Sequence, residues 1–514
     1  MSEVERGAMS VAKTQAGTQE VWFLTGSQEL YGPETLKTVA EHSREIAAHL
    51  DGTLPVRVVW KPTLKGPDAV TRMCLDANSN PDCVGVISWM HTFSPAKMWV
   101  NGLNQLAKPL AHLHTQFNRA LPWSEIDMGF MNLNQSAHGD REYGFILARL
   151  RLERKIVVGH WQDPEVSAEL GSWSRVACAV AESRKLKIVR FGGMNMREVA
   201  VTGGDRLEAQ IQLGWSTNGY GVGDLVGRIA EVGDAEINRL IEEYETSYTL
   251  VPELRQGGAR RESLRHAARQ EIGIRGFLVD GGYGAFTTTF EDLHGLDQLP
   301  GLACQRLMAD GYGFGAEGDW KAAGLVRLMK VIAASGGGAT TGGVSFMEDY
   351  TYHLVKGQET ILGAHMLEIC PSIADGKPSL EIHPLSIGGK NDPCRLVFNA
   401  APGPSVAASI VDMGGRMRMV VQELDAVKAE HAMPKLPVAR ALYVPRPDFR
   451  RGCQAWLLAG GAHHTSFSQV VTGDQLTDLA GILGIECVRI GKDTQFAALK
   501  DQLRWNDAAY RLGL

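Results

Sequence analysis

Short apolar runs alternate with amphipathic stretches from Val21 to about residue 115. The run VWFLT (21–25) predicts a strand, and the polar turn GSQELYG follows it. Pro33 then opens a helix on which Leu36, Val39, Ala40, Ile46, Ala47 and Leu50 recur at helical spacing. VRVVW (56–60) predicts the next strand and PDAVTRMCLDA a helix. CVGVISWM (83–90) is apolar throughout, as expected of a parallel strand covered on both faces. PAKMWVNGLNQL predicts a helix, and PLAHLHT (109–115) another strand. This is a doubly wound α/β pattern, in which ligands bind beyond the carboxyl ends of the strands. Those ends read TGSQELYG, MHTFSP and HTQFNR, which are polar, aromatic and rich in histidine.

A second α/β region is predicted to begin near KIVVGHW (155–161). It continues through the strand KIVRFGG (187–193) and helices around 224–248 and 262–273, and ends with the helix WKAAGLVRLMKVIAA (320–334). From about 344 the pattern changes. SFMEDYTYHL, TILGAHMLEI, SLEIHPL, CRLVFNA and RMRMVVQEL predict successive strands joined by Gly, Pro and Asn turns, hence an antiparallel sheet or barrel. The helix DQLTDLAGILG, the strand ECVRI and a helix containing FAALKDQLRWNDAAYRL close the chain. The expected fold class is α/β: two doubly wound Rossmann-like α/β domains, then a C-terminal domain with an antiparallel β-barrel and closing helices. The expected boundaries are a disordered tail over 1–20 and domains over 21–180, 181–340 and 341–514.

The length of 514 residues agrees, since about 150 residues per domain gives about three. A net charge of −6 argues against a nucleic-acid footprint or a polybasic membrane anchor. No apolar run reaches the ~18 residues that span a bilayer. The start lacks the basic and apolar segments of a secretory signal, so a cytoplasmic location is expected. The eight cysteines form no CxxC pair and read as reduced, mostly buried thiols.

Four residues carry candidate chemistry: Glu317 in GAEGDW, Glu348 in SFMEDYTYH, His365 in GAHMLEIC and His464 in GGAHHT. Each stands at a polar or Gly-rich break beside an apolar run. Two carboxylates and two imidazoles without a thiolate suit a hard or borderline divalent ion that keeps positions open for substrate oxygens. Each residue also has a plainer reading. Glu317 could charge-cap the helix at Trp320, Glu348 and Asp349 could form a surface acidic pair, and His365 could be a core histidine. Strand alternation sends Glu348 and Asp349 to opposite faces, so only one reaches a shared pocket. Likewise only one of His463 and His464, after the apparent strand AWLLAGG, enters a given pocket from an extended segment.

The segment GFGAEG (313–318) matches GxGxxG but follows CQRLMADGY, which reads as helix. Its glycines therefore suggest close backbone approach rather than a dinucleotide site. His112 and His114 share a strand face and read as lining a polar crevice or bonding to neighbours, with a second metal site as the alternative. MNLNQSAHGDREYG (131–144) reads as an exposed polar loop, and RQGGARRESLRHAARQ (255–270) as a solvated helix face.

The segments WFLTGSQELYG, WMHTFSPAKMWVNGL, PLAHLHTQFNR, MNLNQSAHGDREYGF, VVGHWQDP, NGYGVGDL, TTTFEDLHGLDQLPGLACQRLM, GYGFGAEGDWK, SFMEDYTYH, GAHMLEICPSIA, HPLSIGGK and GGAHHT occur in one order over roughly residues 20–510. In this the chain resembles the L-arabinose isomerase family. The resemblance implies conversion of L-arabinose to L-ribulose through an ene-diol, with D-galactose to D-tagatose as a side activity. It implies Mn²⁺, or a similar divalent cation such as Co²⁺, held by Glu317, Glu348, His365 and His464. Glu317 and Glu348 would also carry the protons. It places sugar contacts on Gln28, Leu30, His138, Met196, Phe290 and Ile387. It further implies a homo-oligomer, usually a hexamer, with active sites at subunit interfaces, a small sugar as partner, and no nucleic acid or membrane. The family usually reads FGDNMR where this chain has FGGMNMR (191–197), VTEGDK where it has VTGGDR (201–206), and HPLGIGGKDD where it has HPLSIGGKND. The first two departures lie beside Met196, so they bear on pocket shape and sugar preference. Rival readings are another aldose isomerase, acting on L-fucose or D-galactose, and a sugar-binding protein without catalysis. A metal hydrolase is weaker, because no HExxH occurs.

Overall fold

A computed structural model describes residues 18–193, 195–335, 343–385 and 389–512. Residues 1–17 of the expected tail, and the expected sugar contact Ile387, lie outside the described residues. The described chain forms two compact units, one of residues up to 181 with Ser335, the other of 182–334 and 343 onward.

The first unit is built on β1 (Glu20–Gly26), β2 (Arg57–Trp60), β3 (Cys83–Met90), β4 (Leu110–His114) and β5 (Lys155–Val158). They form a parallel sheet in the order β2-β1-β3-β4-β5. Every residue of β3, the middle strand, is buried, as its unbroken apolar run requires. Pro33 stands in the first turn of the helix Gly32–Thr53, which turns Val39, Ile46, Ala47 and Leu50 inward. Two expectations change. KIVVGHW opens no second region, because β5 pairs with β4 and completes this sheet. The 131–144 segment is no loop: the helices Met128–Leu133 and Ser136–Arg149 cover most of it. His138, Arg141 and Glu142 are exposed, while Ser136, Gly139, Asp140 and Tyr143 pack inward.

In the second unit, β6 (Lys187–Phe191), β7 (Ser216–Tyr220), β9 (Ala285–Thr288) and β10 (Gly313–Gly315) form a parallel sheet in the order β10-β9-β6-β7. The short β8 (Thr249–Leu250) stands apart from it. The barrel comprises β11 (Val344–His353), β12 (Thr360–Ala364), β15 (Gly403–Asp412), β16 (Met417–Val427), β17 (Arg440–Pro445) and β18 (His464–Ser468). Its antiparallel order β15-β18-β11-β12-β17-β16 closes where β15 pairs with β16. SLEIHPL and CRLVFNA were expected in this sheet. They form β13 (Ser379–Ile382) and β14 (Cys394–Val397) instead, and join β8 in a separate small sheet. AWLLAGG is not a strand but the end of the helix Phe449–Ala459. Asp448 caps that helix by accepting from Arg451 N–H at 2.9 Å, and Gly460 ends it in the left-handed region. The strand ECVRI is β19 (Glu486–Ile490), added parallel to β16 on the outside.

The helix Trp320–Ala334 packs against β9 and β10 on one side and β11, β15 and β18 on another. It is therefore buried almost all round, charged residues included. These charges find partners: Arg327 Nε donates to Glu182 at 2.8 Å, and Lys330 Nζ to the Val344 carbonyl at 2.9 Å.

A second buried ion network ties the helices behind the small sheet. Glu271, with no exposed side-chain surface, accepts from Arg275 at 2.8 Å, Arg306 at 2.8 Å and Tyr244 at 2.8 Å. Burial disfavours its charge, but Arg306 and Arg275 outweigh that and hold its pKa below the ordinary value. A depressed folded pKa gives stability that is present above the unfolded carboxylate range of ~4.3 and is lost as pH falls through the folded value. Glu271→Gln removes the buried carboxylate shared by two guanidinium groups, leaving Arg275 only Asp310 and Arg306 only Glu243 as acidic partners among the described residues, and is expected to cost about 3 kcal/mol near neutrality. Urea midpoints taken from pH 7 downward should show the parent's lead shrinking on acidification. A lead that is constant with pH would contradict this account.

Candidate active site

The pocket is built from the barrel's outer face and the turn before the buried helix. On β11, Glu348 is in register with His464 of β18 and Ala364 of β12, and His365 follows Ala364 directly. Residues opposite one another across a sheet emerge on the same side, so Glu348 and His464 come out together, and His365 reaches them from just beyond the end of β12. Asp349 turns the other way, as alternation predicts. It lines a small cavity inside the barrel and bonds to the Tyr443 hydroxyl.

Glu317 arrives from the turn between β10 and the helix Trp320–Ala334, with φ of +57°. A non-glycine residue in the left-handed region is held there against a cost of about 1–2 kcal/mol, a feature common at functional sites. The turn is clamped by Gly318 N–H on the Thr288 carbonyl at 3.1 Å and by Met196 N–H on the Glu317 carbonyl at 3.2 Å. The glycines of GFGAEG allow this. A Cβ on Gly313 would lie 2.0 Å from the Ala323 carbonyl oxygen, and one on Gly315 2.1 Å from that of Asp319. Close backbone approach is their use, as expected.

The structure brings all four predicted chemical residues together. His464 Nε2 lies 3.7 Å from Glu317 Oε2, and His365 Nε2 lies 3.9 Å from Glu348 Oε2. The two imidazole centroids are 6.0 Å apart, with the Phe346 ring edge-on to both. Donors about 2.1 Å from one ion are separated by roughly 3 to 4.3 Å, so the gap within each Glu–His pair is the size found between two ligands of one cation. The far side of each imidazole is also committed. His365 Nδ1 meets Glu368 Oε2 at 2.5 Å, and His464 Nδ1 meets Asp319 Oδ2 at 3.2 Å. A carboxylate on Nδ1 fixes the ring and leaves Nε2 as the ligand atom. His464 Nε2 is buried and has no hydrogen-bond partner, although buried polar atoms are nearly always satisfied.

The charge balance points the same way. Four carboxylates surround two imidazoles in a largely buried pocket. Burial opposes a charge on His365, but Glu368, Glu348 and Glu317 overcome it and raise its pKa to about 9. Burial raises Glu348 above the ordinary carboxylate value, against the pull of both histidines. Burial also opposes ionisation of Asp319, yet Lys321 and His464 hold it below the usual value. The pocket's field therefore favours a positive charge.

His463 differs from the expectation that only one of the histidine pair enters. It precedes β18, outside the extended segment, and its ring reaches a group with Glu317 and His464 whose donor atoms lie within 4.8 Å. Burial and the neighbouring His464 lower its pKa to about 4. Among the described residues no carboxylate hydrogen bond orients its ring, whereas Asp319 orients that of His464, so His464 is the better-built ligand.

Met196 and Phe290 follow β6 and β9, and their loops are stitched together. Gly193 N–H donates to Asp292 at 3.2 Å and Arg197 N–H to Glu291 at 2.9 Å. With Met196 bonded to Glu317, this pair stands beside the metal-type cluster. Gln28, Leu30 and His138 belong to the other compact unit, at the carboxyl end of β1 and in the first turn of the helix Ser136–Arg149. Leu30 is 84% exposed. His112 Nε2 and His114 Nδ1 both reach the buried carboxylate of Asp140, at 2.9 and 2.5 Å. They bond to a side chain rather than to backbone, and pin that helix to β4. Glu368 and Asp319 were missed by sequence reasoning. The signal available was their spacing, three residues after His365 and two after Glu317.

The three consecutive domain profiles described as L-arabinose isomerase N-terminal, central and C-terminal domain match residues 15–185, 187–335 and 343–486. An L-arabinose isomerase of Geobacillus stearothermophilus is 60% identical over 494 residues, covering 96% of this chain and 98% of that protein. One of Koribacter versatilis is 61% identical, again over 96% and 98%. One of Herpetosiphon aurantiacus is 58% identical over the same shares.

Proposed function

The chain belongs to the L-arabinose isomerase family and is an aldose–ketose isomerase, and from that premise we propose that it converts L-arabinose to L-ribulose with a divalent ion held by Glu317, Glu348, His365 and His464. The observation that carries the metal reading is His464, whose Nδ1 is held by Asp319 while its buried Nε2 has no hydrogen-bond partner and lies near Glu317. The donors, two carboxylates and two imidazoles, fit Mn²⁺ or Co²⁺ better than Ca²⁺, which prefers an all-oxygen shell. When bound, the ion supplies Lewis-acid polarisation at the sugar's vicinal oxygens.

The chain's own residues then move the protons. One of Glu317 and Glu348 takes the proton from C2 of the aldose and returns it to C1, through an ene-diol. The other carries the hydroxyl proton between O2 and O1. Phe346, against both imidazoles, excludes water from the back of the cluster. D-Galactose repeats the C2–C4 configuration of L-arabinose, which supports D-tagatose formation as a side activity. The sugar is held by Met196, Phe290 and Ile387 and by Gln28, Leu30 and His138 of a neighbouring subunit in a homo-oligomer, a hexamer by resemblance. The high exposure of Leu30 supports this. Domain boundaries near 180 and 340 are supported by the consecutive profiles. No described helix is long and apolar enough to cross a membrane, and the eight cysteines are unpaired, in keeping with a reducing cytoplasm.

Product identification after incubation with L-arabinose and Mn²⁺ tests the reaction, and chelation should abolish it. A separate readout tests the ion. Glu368→Gln and Asp319→Asn should each weaken Mn²⁺ binding by about 10–100-fold in equilibrium dialysis. Unchanged binding in both would remove the metal reading, whatever the turnover.

A further inference from the structure

We infer that Tyr31, Phe93 and Gln135 are positioning residues, a frame that sets which atoms of Gln28 and His138 face the sugar. The inference rests on the reading of Gln28 and His138 as sugar contacts.

Three chain segments meet here. Tyr31 follows β1, Phe93 follows β3, and Gln135 precedes the helix that carries His138. Gly139 lets that helix approach the β3 exit, since a Cβ there would lie 3.3 Å from the Thr92 carbonyl oxygen. The Tyr31 hydroxyl accepts from Phe93 N–H at 3.2 Å and from Gln135 Nε2 at 3.1 Å. The Phe93 carbonyl accepts from Gln28 Nε2 at 3.0 Å. Gln135 Nε2 also donates to Asn132 Oδ1 at 3.0 Å, which fixes the amide's orientation and turns Oε1 toward His138 Nδ1 at 3.2 Å. The Phe93 ring closes the circuit by stacking on His138, with centroids 4.6 Å apart and an interplanar angle of 13°.

The chemistry follows from the donor inventory. An amide oxygen only accepts, so the neutral His138 ring must carry its hydrogen on Nδ1 and present Nε2 as an acceptor. Gln28 has one N–H committed to Phe93, and its Oε1 is the acceptor it can offer. The frame thus presents two acceptors of defined direction to a neutral polyol, whose hydroxyls act as donors. Tyr31, Phe93 and Gln135 are all partly exposed, and none belongs to the buried core. They can be altered without opening the fold.

The experiment uses the Mn²⁺-loaded full-length enzyme. Tyr31→Phe removes only the shared oxygen, and Gln135→Leu removes the tautomer-setting amide. Each should raise KM for L-arabinose by about 5–30-fold, the worth of one well-placed hydrogen bond, with kcat changed less than about threefold and Tm unmoved. The Kd of the unreactive polyol L-arabitol, measured by calorimetry, should rise by the same factor. In a His138→Ala background, Gln135→Leu should add little further. Gln28→Ala and His138→Ala are the reference arms. If both leave KM unchanged, the sugar-contact reading falls and the frame falls with it. If they raise KM while Tyr31→Phe and Gln135→Leu do not, the frame alone is overturned. Loss of kcat or Tm at constant KM would reduce these residues to structural parts and overturn it as well.

Discussion

Glu348→Gln and Glu317→Gln are each expected to lower kcat by about 10²-fold or more at saturating Mn²⁺, the usual size of a general acid–base contribution. Glutamine keeps the shape and one neutral oxygen donor but takes no proton. The two effects should not add, because both carboxylates serve one transfer sequence. Dialysis separates loss of metal from loss of chemistry: the variants are compared at Mn²⁺ levels that refill the site. Asp349→Asn is the internal control, because Asp349 points into the barrel on the same strand. Near-parental turnover in both Glu317 and Glu348 variants would end the proposed mechanism.

Gly313→Ala and Gly315→Ala should be nearly as damaging, through the fold. Each added Cβ would sit about 1 Å inside contact distance of a helix carbonyl, at 2.0 and 2.1 Å. Neither obstacle is a flexible side-chain end. The helix must shift, and Asp319, which holds the His464 ring, shifts with it. A loss of about 4 kcal/mol or more is expected, the range reserved for such clashes. Gly227→Ala is the comparison, since it meets nothing within 4 Å inside the helix Val222–Ala230 and should be neutral or slightly stabilising. Denaturant midpoints for the three variants decide the matter. Parental stability of Gly315→Ala would mean that the strand and helix are not in the contact described.

The parallel layers were legible because periodicity carries them. β3 is an unbroken apolar run, and the helix after β1 shows its inward face at regular spacing. The barrel was only partly legible. SLEIHPL alternates as well as any barrel strand, and nothing local says that it pairs with β14 and β8 instead. AWLLAGG misled because a short apolar run does not distinguish strand from helix, and its cap, Asp448, lies seven residues before it. At the candidate site the four ligand-type residues could be picked out one by one, each with a plain alternative. What the sequence could not display was their pairing, since Glu348 and His464 meet only through strand register. Glu368 and Asp319 had only their spacing from His365 and Glu317 to mark them, and that spacing gains meaning once the ring each carboxylate braces is placed.

The wall between the barrel's interior and the cation-type pocket is a single strand thick, and its two carboxylates are consecutive. A one-place slip of β11 would exchange them, sending the longer acid inward and offering the histidines one that is a methylene shorter. The bulge just beyond Asp349, where the pairing of β11 with β12 skips a residue, bars that slide. An irregularity in the ladder thus acts as a latch, and the reach of a single acid depends on it.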